Sequence, residues 1–259
     1  MSLDQPIAFV KHQSVSHDAF LGGRLTVSQP RHGFRAGLDS VLLGAAVGEG
    51  RGELLDLGAG VGTAALVALT HHPHLAALLV EIDAAMLGFA QSNLANNTMA
   101  GRARAVPMDI VARGGGRERL PADHFGSVIA NPPFFEREGG TLAPEPSRAG
   151  ARHMPVDALD LWVRTAAGAA APGGEVIFIH RAESLPDLLP AFNKRFGAIT
   201  VLPLVPRPGN DASRVLVRGI KGSRAPMVLR SPLHLHGESG NAFTPPIEAI
   251  LRGDGRLHW

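Results

Sequence analysis

The sequence predicts an α/β protein built around a mostly parallel sheet with helices on both faces. Apolar segments of strand length alternate along the chain with helix-forming segments, which is the pattern of strand–helix–strand units. The last two strand segments, at 199–205 and 213–220, are joined by only a short loop. Because parallel strands need a longer crossover, this pair indicates an antiparallel element at one edge of the sheet.

Apolar segments bounded by turn residues predict the strands of this sheet. The first of them, GELLDLGAG, closes on glycines and therefore enters a tight turn. The second, AALLVEID, ends in acidic residues. The predicted strands are 52–60, 76–83, 103–109, 125–131, 175–180, 199–205 and 213–220.

Helices are predicted between these strands. In the second helix the apolar residues Met86, Ala90 and Leu94 recur at helical spacing, and Asp83 can cap its start. The third is expected to stop at Pro172 and Gly173. The predicted helices are 63–70, 83–97, 159–174 and 185–196.

Further elements are predicted at both ends of the chain. Residues 24–37 indicate a hairpin, followed by a helix that begins near Asp39, and residues 213–230 can form another hairpin. A last helix is predicted over 244–253, with Thr244 as its cap. We expect one structural domain, which consists of an N-terminal extension (1–50, hairpin plus helix) packed on a core (51–220), and a C-terminal extension (221–259).

Composition limits the classes of protein and of site. The chain has 259 residues, of which 45% are apolar and 19% charged, so a globular core is expected rather than disorder. There is no cysteine, which excludes disulfides, thiolate catalysis and cysteine-ligated zinc. The histidines of HHPH (71–74) and at 234 and 236 lack further ligands that could be placed, so no metal is predicted.

No membrane association is predicted. The sequence has no apolar run near the ~18 residues that a membrane-spanning helix needs. Its start, MSLDQPIAFVKHQ, does not have the basic end and apolar stretch of a signal peptide. A cytoplasmic location is the simplest expectation, and the oligomeric state stays open.

Basic residues are concentrated in one segment, although the formal net charge of the whole chain is only +2. Between 207 and 230 there are six basic residues and one acidic residue, Asp211. Such a local excess attracts a polyanion, but it is equally compatible with a solvated basic face. The six are Arg207, Arg214, Arg218, Lys221, Arg224 and Arg230.

A glycine-rich turn and two acidic residues indicate a nucleotide-like ligand. Gly58, Gly60 and Gly62 follow the first strand, where glycines let the backbone approach a ligand; alone they also fit an ordinary strand–helix turn. Asp56 lies inside the apolar strand, so its carboxylate needs a partner, either a ligand amine or loop N–H groups. Glu81, at the end of the second strand, has the position that binds ribose hydroxyls in such sheets.

DLGAGVG at 56–62 resembles the first motif of the class I S-adenosylmethionine-dependent methyltransferases. The resemblance implies a Rossmann-like sheet of seven strands, with the last one antiparallel, and S-adenosylmethionine as the cofactor. It further implies that Gly58 and Gly60 line the methionine part, that Glu81 binds the ribose, and that Asp109 faces the adenine amino group. Asp109 also fits a helix cap or a loop acid.

The segment VIANPPFFER at 128–137 ends a predicted strand with two prolines, which remove backbone donors. Asn131-Pro132-Pro133-Phe134 resembles the motif of methyltransferases that modify planar amino groups: adenine N6, cytosine N4, guanine N2 or the glutamine amide. By this resemblance the Asn131 side chain and the Pro132 carbonyl each accept one N–H of the amine. Phe134 stacks on the base, and Asn131 also lies beside the cofactor. A base within a helix must be extruded to reach this site.

Over most of its length the chain resembles the tRNA adenine-N6 methyltransferases that modify the adenosine beside the anticodon of a valine tRNA. The resemblance includes QPRHGFRAGLD at 29–39 and places Gly37 and Asp39 near the cofactor, although Asp39 also fits a helix N-cap. The chain departs from that family by having Phe134 and Phe135 where two tyrosines are usual.

The resemblance implies tRNA as the partner, with Arg214, Arg218, Lys221 and Arg224 as candidate RNA-binding residues. We expect the loop 135–153 to close over the substrate. Two alternatives remain open: a glutamine-amide methyltransferase acting on a protein such as a release factor, and a non-catalytic RNA-binding protein of the same fold. Only about 50 residues, partly of hairpin character, precede the first motif, which argues against the helical N-terminal domain of the glutamine group.

Overall fold

The computed structural model describes residues 14–33, 35–49, 51–111, 120–133 and 158–259. Its strands are β1 (Val15–Phe20), β2 (Leu25–Pro30), β3 (Glu53–Leu57), β4 (Ala76–Glu81), β5 (Ala103–Pro107), β6 (Phe125–Ala130), β7 (Ala170–Arg181), β8 (Phe196–Val205), β9 (Arg214–Lys221), β10 (Val228–Leu229) and β11 (Leu233–His234). Its helices are α1 (Leu38–Ala45), α2 (Thr63–His71), α3 (Ala84–Asn96), α4 (Ala158–Ala169), α5 (Leu185–Asn193) and α6 (Pro245–Arg252).

The central sheet has the strand order β10-β8-β9-β7-β6-β3-β4-β5, with β11 also paired to β8. Strand β9 is antiparallel to both of its neighbours, and the remaining pairs are parallel. The predicted fold class, a mostly parallel sheet of seven long strands with the last one antiparallel, is therefore confirmed. The antiparallel strand lies between β7 and β8, and two short strands cover the edge beyond β8.

Apolar side chains cover both faces of the sheet. Leu54 and Ile129 face the layer that contains α1, α2 and α3, whereas Leu55 and Val128 face the layer that contains α4 and α5. This division follows from the strand geometry, because successive side chains point to opposite faces. Helix α3 begins as predicted, with the Asp83 side chain accepting bonds from the N–H groups of the first turn.

Two predicted hairpins are corrected by the structure. The N-terminal hairpin pairs Val15–Phe20 with Leu25–Pro30, so it begins earlier than the predicted 24–37. Its first strand alternates between exposed and half-buried residues, and therefore gives little apolar signal. The hairpin predicted over 213–230 is wrong, because Val228–Leu229 pairs in parallel with β8. Both edges of β9 are already occupied by β7 and β8, which leaves no place for a hairpin partner.

The helix predicted over 159–174 ends at Ala169, and β7 begins at once at Ala170. Pro172 and Gly173 therefore belong to the irregular start of the strand, where the pairing with β6 shifts register. The alanine-rich sequence gives no local signal for this boundary. It is fixed by pairing with β6, since Ala170 lies opposite Phe125.

The segments before and after the core are joined to it by hydrogen bonds. Asn93 of α3 is fully buried and holds both the N–H and the carbonyl of Ser28 in β2, at 2.8 and 2.9 Å. At the other end, Leu257 N–H donates to Ala45 O at 2.9 Å, and the Trp259 indole N–H donates to Ala46 O at 2.8 Å. Across the described ranges, no helix combines the length and apolarity that crossing a membrane requires.

Candidate active site

The sheet register brings the glycine turn and the Asn-Pro-Pro turn together. Strand β3 pairs with β6 so that Leu57 lies opposite Ala130, and Gly58 and Asn131 therefore leave neighbouring strands side by side, ~4.8 Å apart. On its other side β3 pairs with β4, whose last residue is Glu81. Three adjacent strands thus end in predicted site residues at the carboxyl edge of the sheet, where α/β proteins bind ligands.

The glycine turn requires glycine for its backbone. Gly58, Gly60 and Gly62 have φ values of +66°, +55° and +86°, which is the left-handed region that other residues rarely adopt. Gly58 is also needed for packing, because a Cβ there would lie 2.4 Å from the Trp162 ring. The Trp162 ring of α4 therefore packs directly against the turn at Gly58.

Glu81 is fixed by three backbone N–H groups. One carboxylate oxygen accepts the Gly60 N–H at 2.8 Å, and the other accepts the N–H groups of Ile82 and Asp83 at 2.8 and 2.9 Å. The carboxylate is thus bound to the glycine turn and keeps acceptor capacity for a hydroxyl. Ile82 beside it is 65% exposed and offers an apolar surface at the site. Ile82 was not predicted from the sequence, although its place directly after the acid was a usable signal.

Asp56 is a buried carboxyl group with one backbone hydrogen bond. It is 2% exposed and accepts one hydrogen bond from the Ala65 N–H, at 3.2 Å. Burial is the main cause that raises the pKa of Asp56 to about 7; the Glu81 charge raises it further, and the Ala65 bond opposes the shift. The sequence leaves open whether a ligand amine or loop N–H groups satisfy the Asp56 carboxylate. One N–H does reach it, and its pKa nevertheless stays high.

The Asn-Pro-Pro turn rests against a buried histidine. Asn131 and Pro133 are half-buried and Pro132 is buried, whereas Phe134 and the loop 135–153 lie outside the described residues. His180 of β7 is 1% exposed and contacts the Pro133 backbone. Burial, and then the charge of Arg181, lower the pKa of His180 to about 4, so the ring is neutral near pH 7. His180 was not among the residues predicted from the sequence; its signal was a histidine inside the apolar strand EVIFIH.

The other predicted cofactor residues lie around this edge. Gly37 precedes α1, and its carbonyl accepts the N–H groups of Ser40 and Val41. Asp39, in the first turn of α1, pairs with Arg214 Nε at 3.0 Å. Asp109 follows β5, and its side chain accepts the Val111 N–H at 2.9 Å, as a turn residue does.

The four predicted RNA-binding residues do not form one cluster. Arg214 lies at the carboxyl edge, opposite Arg181. Arg218 bonds to the buried Glu175 at 2.8 Å, and Lys221, ~23 Å along β9 from Arg214, is bonded to Asp123. Arg224 is exposed just beyond the amino end of β8, where Ala198 N–H bonds to Ala225 O. Only Arg214 therefore lies at the candidate site.

No trio of histidine, aspartate or glutamate side chains is arranged to hold a metal ion in the parts of the chain that the structure covers. His234 and His236 lie at and beyond β11. His236 bonds to a backbone carbonyl and stacks on Phe243.

Comparisons with known proteins agree with this geometry. The family described as "Methyltransferase small domain" matches residues 39–202. A tRNA1(Val) (adenine(37)-N6)-methyltransferase of Porphyromonas gingivalis is 30% identical over 177 residues, which are 66% of this chain and 68% of the relative. The enzyme of the same name from Vibrio vulnificus is 27% identical over 172 residues, with the same two coverages, 66% and 68%.

Among solved structures, a crystal structure described as a predicted O-methyltransferase from Agrobacterium tumefaciens is similar over 85% of this chain and 98% of its own, with a TM-score of 0.71 and 31% identity. The family match at 39–202 includes the glycine turn and the Asn131-Pro132-Pro133 turn.

Proposed function

The chain belongs to the methyltransferase small domain family, and we infer that it methylates the N6 amino group of an adenine in tRNA, near the anticodon. The enzyme class is S-adenosylmethionine-dependent methyltransferase. The observation that carries the choice of an amino group is the Asn131-Pro132-Pro133 turn, which leaves the sheet directly beside the glycine turn.

The residues at the edge fit the cofactor. Asp56 is buried, and its raised pKa indicates that its charged form lacks a cation, which the ammonium group of the methionine part supplies. Glu81 is oriented by three backbone N–H groups and can accept the ribose hydroxyls. We therefore propose Asp56, Gly58, Gly60 and Glu81 as the main cofactor-binding residues, with Asp109, Gly37 and Asp39 around them.

When bound, the cofactor supplies a methyl group that is already activated by its sulfonium. An exocyclic amine on a base is a poor nucleophile, because its lone pair is delocalised into the ring. The Asn131 side-chain oxygen and the Pro132 carbonyl each accept one N–H of the amine and so turn its lone pair out of the ring plane. Positioning and electrostatics then do most of the work, without a strong base.

Phe134 follows directly, and we propose that its ring stacks on the target base; such stacking contributes ~1–3 kcal/mol per base. The turn also favours an amine over a hydroxyl as the group that receives the methyl. It offers two carbonyl acceptors, and an amine has two hydrogens to donate whereas a hydroxyl has one. This supports N-methylation for this chain. The Agrobacterium tumefaciens protein is described instead as a predicted O-methyltransferase.

A glutamine amide also has two hydrogens, so the turn alone does not select adenine. The names of the curated relatives support tRNA as the substrate. Of the candidate RNA-binding residues, we propose that Arg214 contacts the RNA, since it lies at the edge that bears Asn131. Arg218 and Lys221 are bonded to Glu175 and Asp123, and we assign them a structural role.

The test is methyl transfer from radiolabelled S-adenosylmethionine to total tRNA, DNA and a release factor, each offered separately. We expect label in tRNA and N6-methyladenosine after digestion to nucleosides. Label in the release factor alone would move the function to glutamine methylation. If no substrate is labelled although the cofactor binds, the proposal of tRNA methylation is wrong.

A further inference from the structure

His236, which is half-buried, and Phe243, which is exposed, form an aromatic pair at the protein surface. Their ring centroids are 4.7 Å apart, and the ring planes are inclined by 20°, so the rings are stacked. Phe243 is 37% exposed and is the only phenylalanine or tryptophan in the exposed class among the described residues. We call these two residues the rim stack. A ring face that is open to solvent in this way can stack on a ligand.

The rim stack lies at the same edge of the sheet as the candidate active site. Strand β11 runs parallel to β8 with His234 opposite Val205, and His236 N–H donates to Pro206 O at 3.0 Å. The rings therefore lie just beyond the carboxyl end of β8. Four strand spacings separate β11 from β6, which places the rim stack ~19 Å from Asn131 along the edge.

Backbone and side-chain bonds hold the rim stack in place. His236 and Phe243 form a β-bridge, and the His236 ring Nδ1 donates to Ala242 O at 3.1 Å. Arg207 braces the connecting turn, since it donates to Gly237 O at 3.1 Å and to the Asn241 side chain at 3.2 Å. A platform that is ordered in advance loses little conformational entropy when a ligand binds.

The surroundings of the rim stack favour a nucleobase over a protein partner. Residues 238–242, between the two rings, are exposed, and four of these five are glutamate, serine, glycine and asparagine. The exposed residues between the two rings are mostly polar, whereas the core of a protein interface is mostly apolar. Flat rings on a polar surface instead match how unpaired bases are bound, because every base has a face that can stack.

Charged side chains also lie at this surface, but basic residues do not outnumber acidic ones. Among the described residues, the hydrogen-bond partners of Arg207 are the neutral groups Gly237 O and the Asn241 side chain, so its charge is available to a phosphate. Asp211 and Glu238 lie in the same loops and offset this attraction. This surface therefore offers a base a stacking contact rather than a basic patch.

We propose that the rim stack binds an unpaired base of the substrate tRNA, other than the base that is methylated, with Arg207 on an adjacent phosphate. The proposal rests on the proposed function and extends it. The rim stack lies ~19 Å from Asn131, so the base it binds is a different base of the unpaired tRNA loop that contains the target adenine. The enzyme thereby holds the loop at two points while the target base enters the site.

The experiment compares Phe243→Leu, which keeps an apolar contact to His236 but removes the ring, with Phe243→Trp, which keeps a ring. Met227→Ala, at another exposed apolar residue (56% exposed), is the matched control. The Kd for a valine tRNA transcript and the KM for its methylation are measured on the full chain. We expect Phe243→Leu to weaken tRNA binding roughly 5- to 150-fold, while Phe243→Trp and the control stay near wild type.

Two further readings separate stacking from other effects. The Kd for S-adenosylmethionine is expected to stay unchanged, and so is the slope of tRNA affinity against salt, because no phosphate contact is removed. If wild type methylates tRNA and Phe243→Leu binds it equally well, the rim stack is not an RNA platform. If wild type methylates only a protein, the proposed function fails, and this inference fails with it.

Discussion

Asn131 provides one of the two carbonyl acceptors on which the proposed chemistry depends. Asn131→Ala removes that acceptor and leaves the backbone carbonyl of Pro132 in place. We expect kcat for tRNA methylation to fall ~100-fold or more, because a group aimed at the reacting atoms is lost. The Kd for S-adenosylmethionine, measured by calorimetry, is expected to change little.

Asn210→Ala is the matched control, since Asn210 is an exposed asparagine in the loop between β8 and β9. It is expected to keep wild-type kcat. Full activity of Asn131→Ala would contradict the role of this turn in holding the amine. Equal losses of kcat and of cofactor binding would instead indicate that the variant has disturbed the glycine turn beside it.

Asp56 makes cofactor binding depend on pH. Its pKa of about 7 in the free protein means that the carboxyl is protonated below pH 7 and ionised above it. Only the ionised form can pair with an ammonium group, so we expect affinity for S-adenosylmethionine to fall as pH is lowered from 8 to 6. The Kd measured by calorimetry at several pH values tests this. Asp56→Asn is expected to bind weakly with a flat profile, and a flat wild-type profile would refute the assignment.

Elements with local signals were the ones that could be predicted from the sequence. The glycine turn, the Asp83 cap and the strand that ends at Asn131 depend on neighbouring residues, and they lie where they were expected. Strand β10 was assigned the wrong partner because its pairing depends on which edges of the sheet are already occupied. His180 was overlooked because its contact with Pro133 arises only when β6 and β7 pair.

Helix α3 links the N-terminal hairpin to the glycine turn through Asn93. Its side chain bonds to both backbone groups of Ser28 and also donates to Val61 O at 2.9 Å, between Gly60 and Gly62. Asn93→Ala leaves these buried groups without partners, which costs roughly 1–3 kcal/mol of unfolding free energy. We also expect weaker binding of S-adenosylmethionine, because Val61 belongs to the turn.

Asn97→Ala is the matched control for that variant. Asn97 caps the C-terminal end of α3, four residues after Asn93, and bonds to Thr26 of the same hairpin, but these bonds are exposed to water. Urea unfolding is expected to show a smaller loss for Asn97→Ala, with cofactor affinity unchanged. If the two variants lose equal stability and bind the cofactor alike, Asn93 has no special role in coupling the hairpin to the turn.

Contacts between the N-terminal hairpin and the C-terminal extension lead us to propose that the described part of the chain unfolds as one unit. Arg24, beside the N-terminal hairpin, donates to Gly253 O at 2.6 Å and pairs with Asp254. The Arg218 guanidinium of β9 lies 5.5 Å from the centroid of the Trp259 ring. Since both extensions are bonded to the core and to each other, we propose a single structural domain.

The two tryptophans allow this proposal to be tested, because Trp162 lies in the core and Trp259 in the C-terminal extension. In Trp162→Phe the fluorescence reports on the extension, and in Trp259→Phe it reports on the core. Within each variant we expect the fluorescence midpoint in urea to coincide with the far-ultraviolet circular dichroism midpoint, as two-state unfolding requires. A lower midpoint for Trp259 fluorescence would mean that the extension separates first. The bonds from Leu257 and Trp259 to α1 and the residue after it, Ala46, would then be too weak to join it to the core.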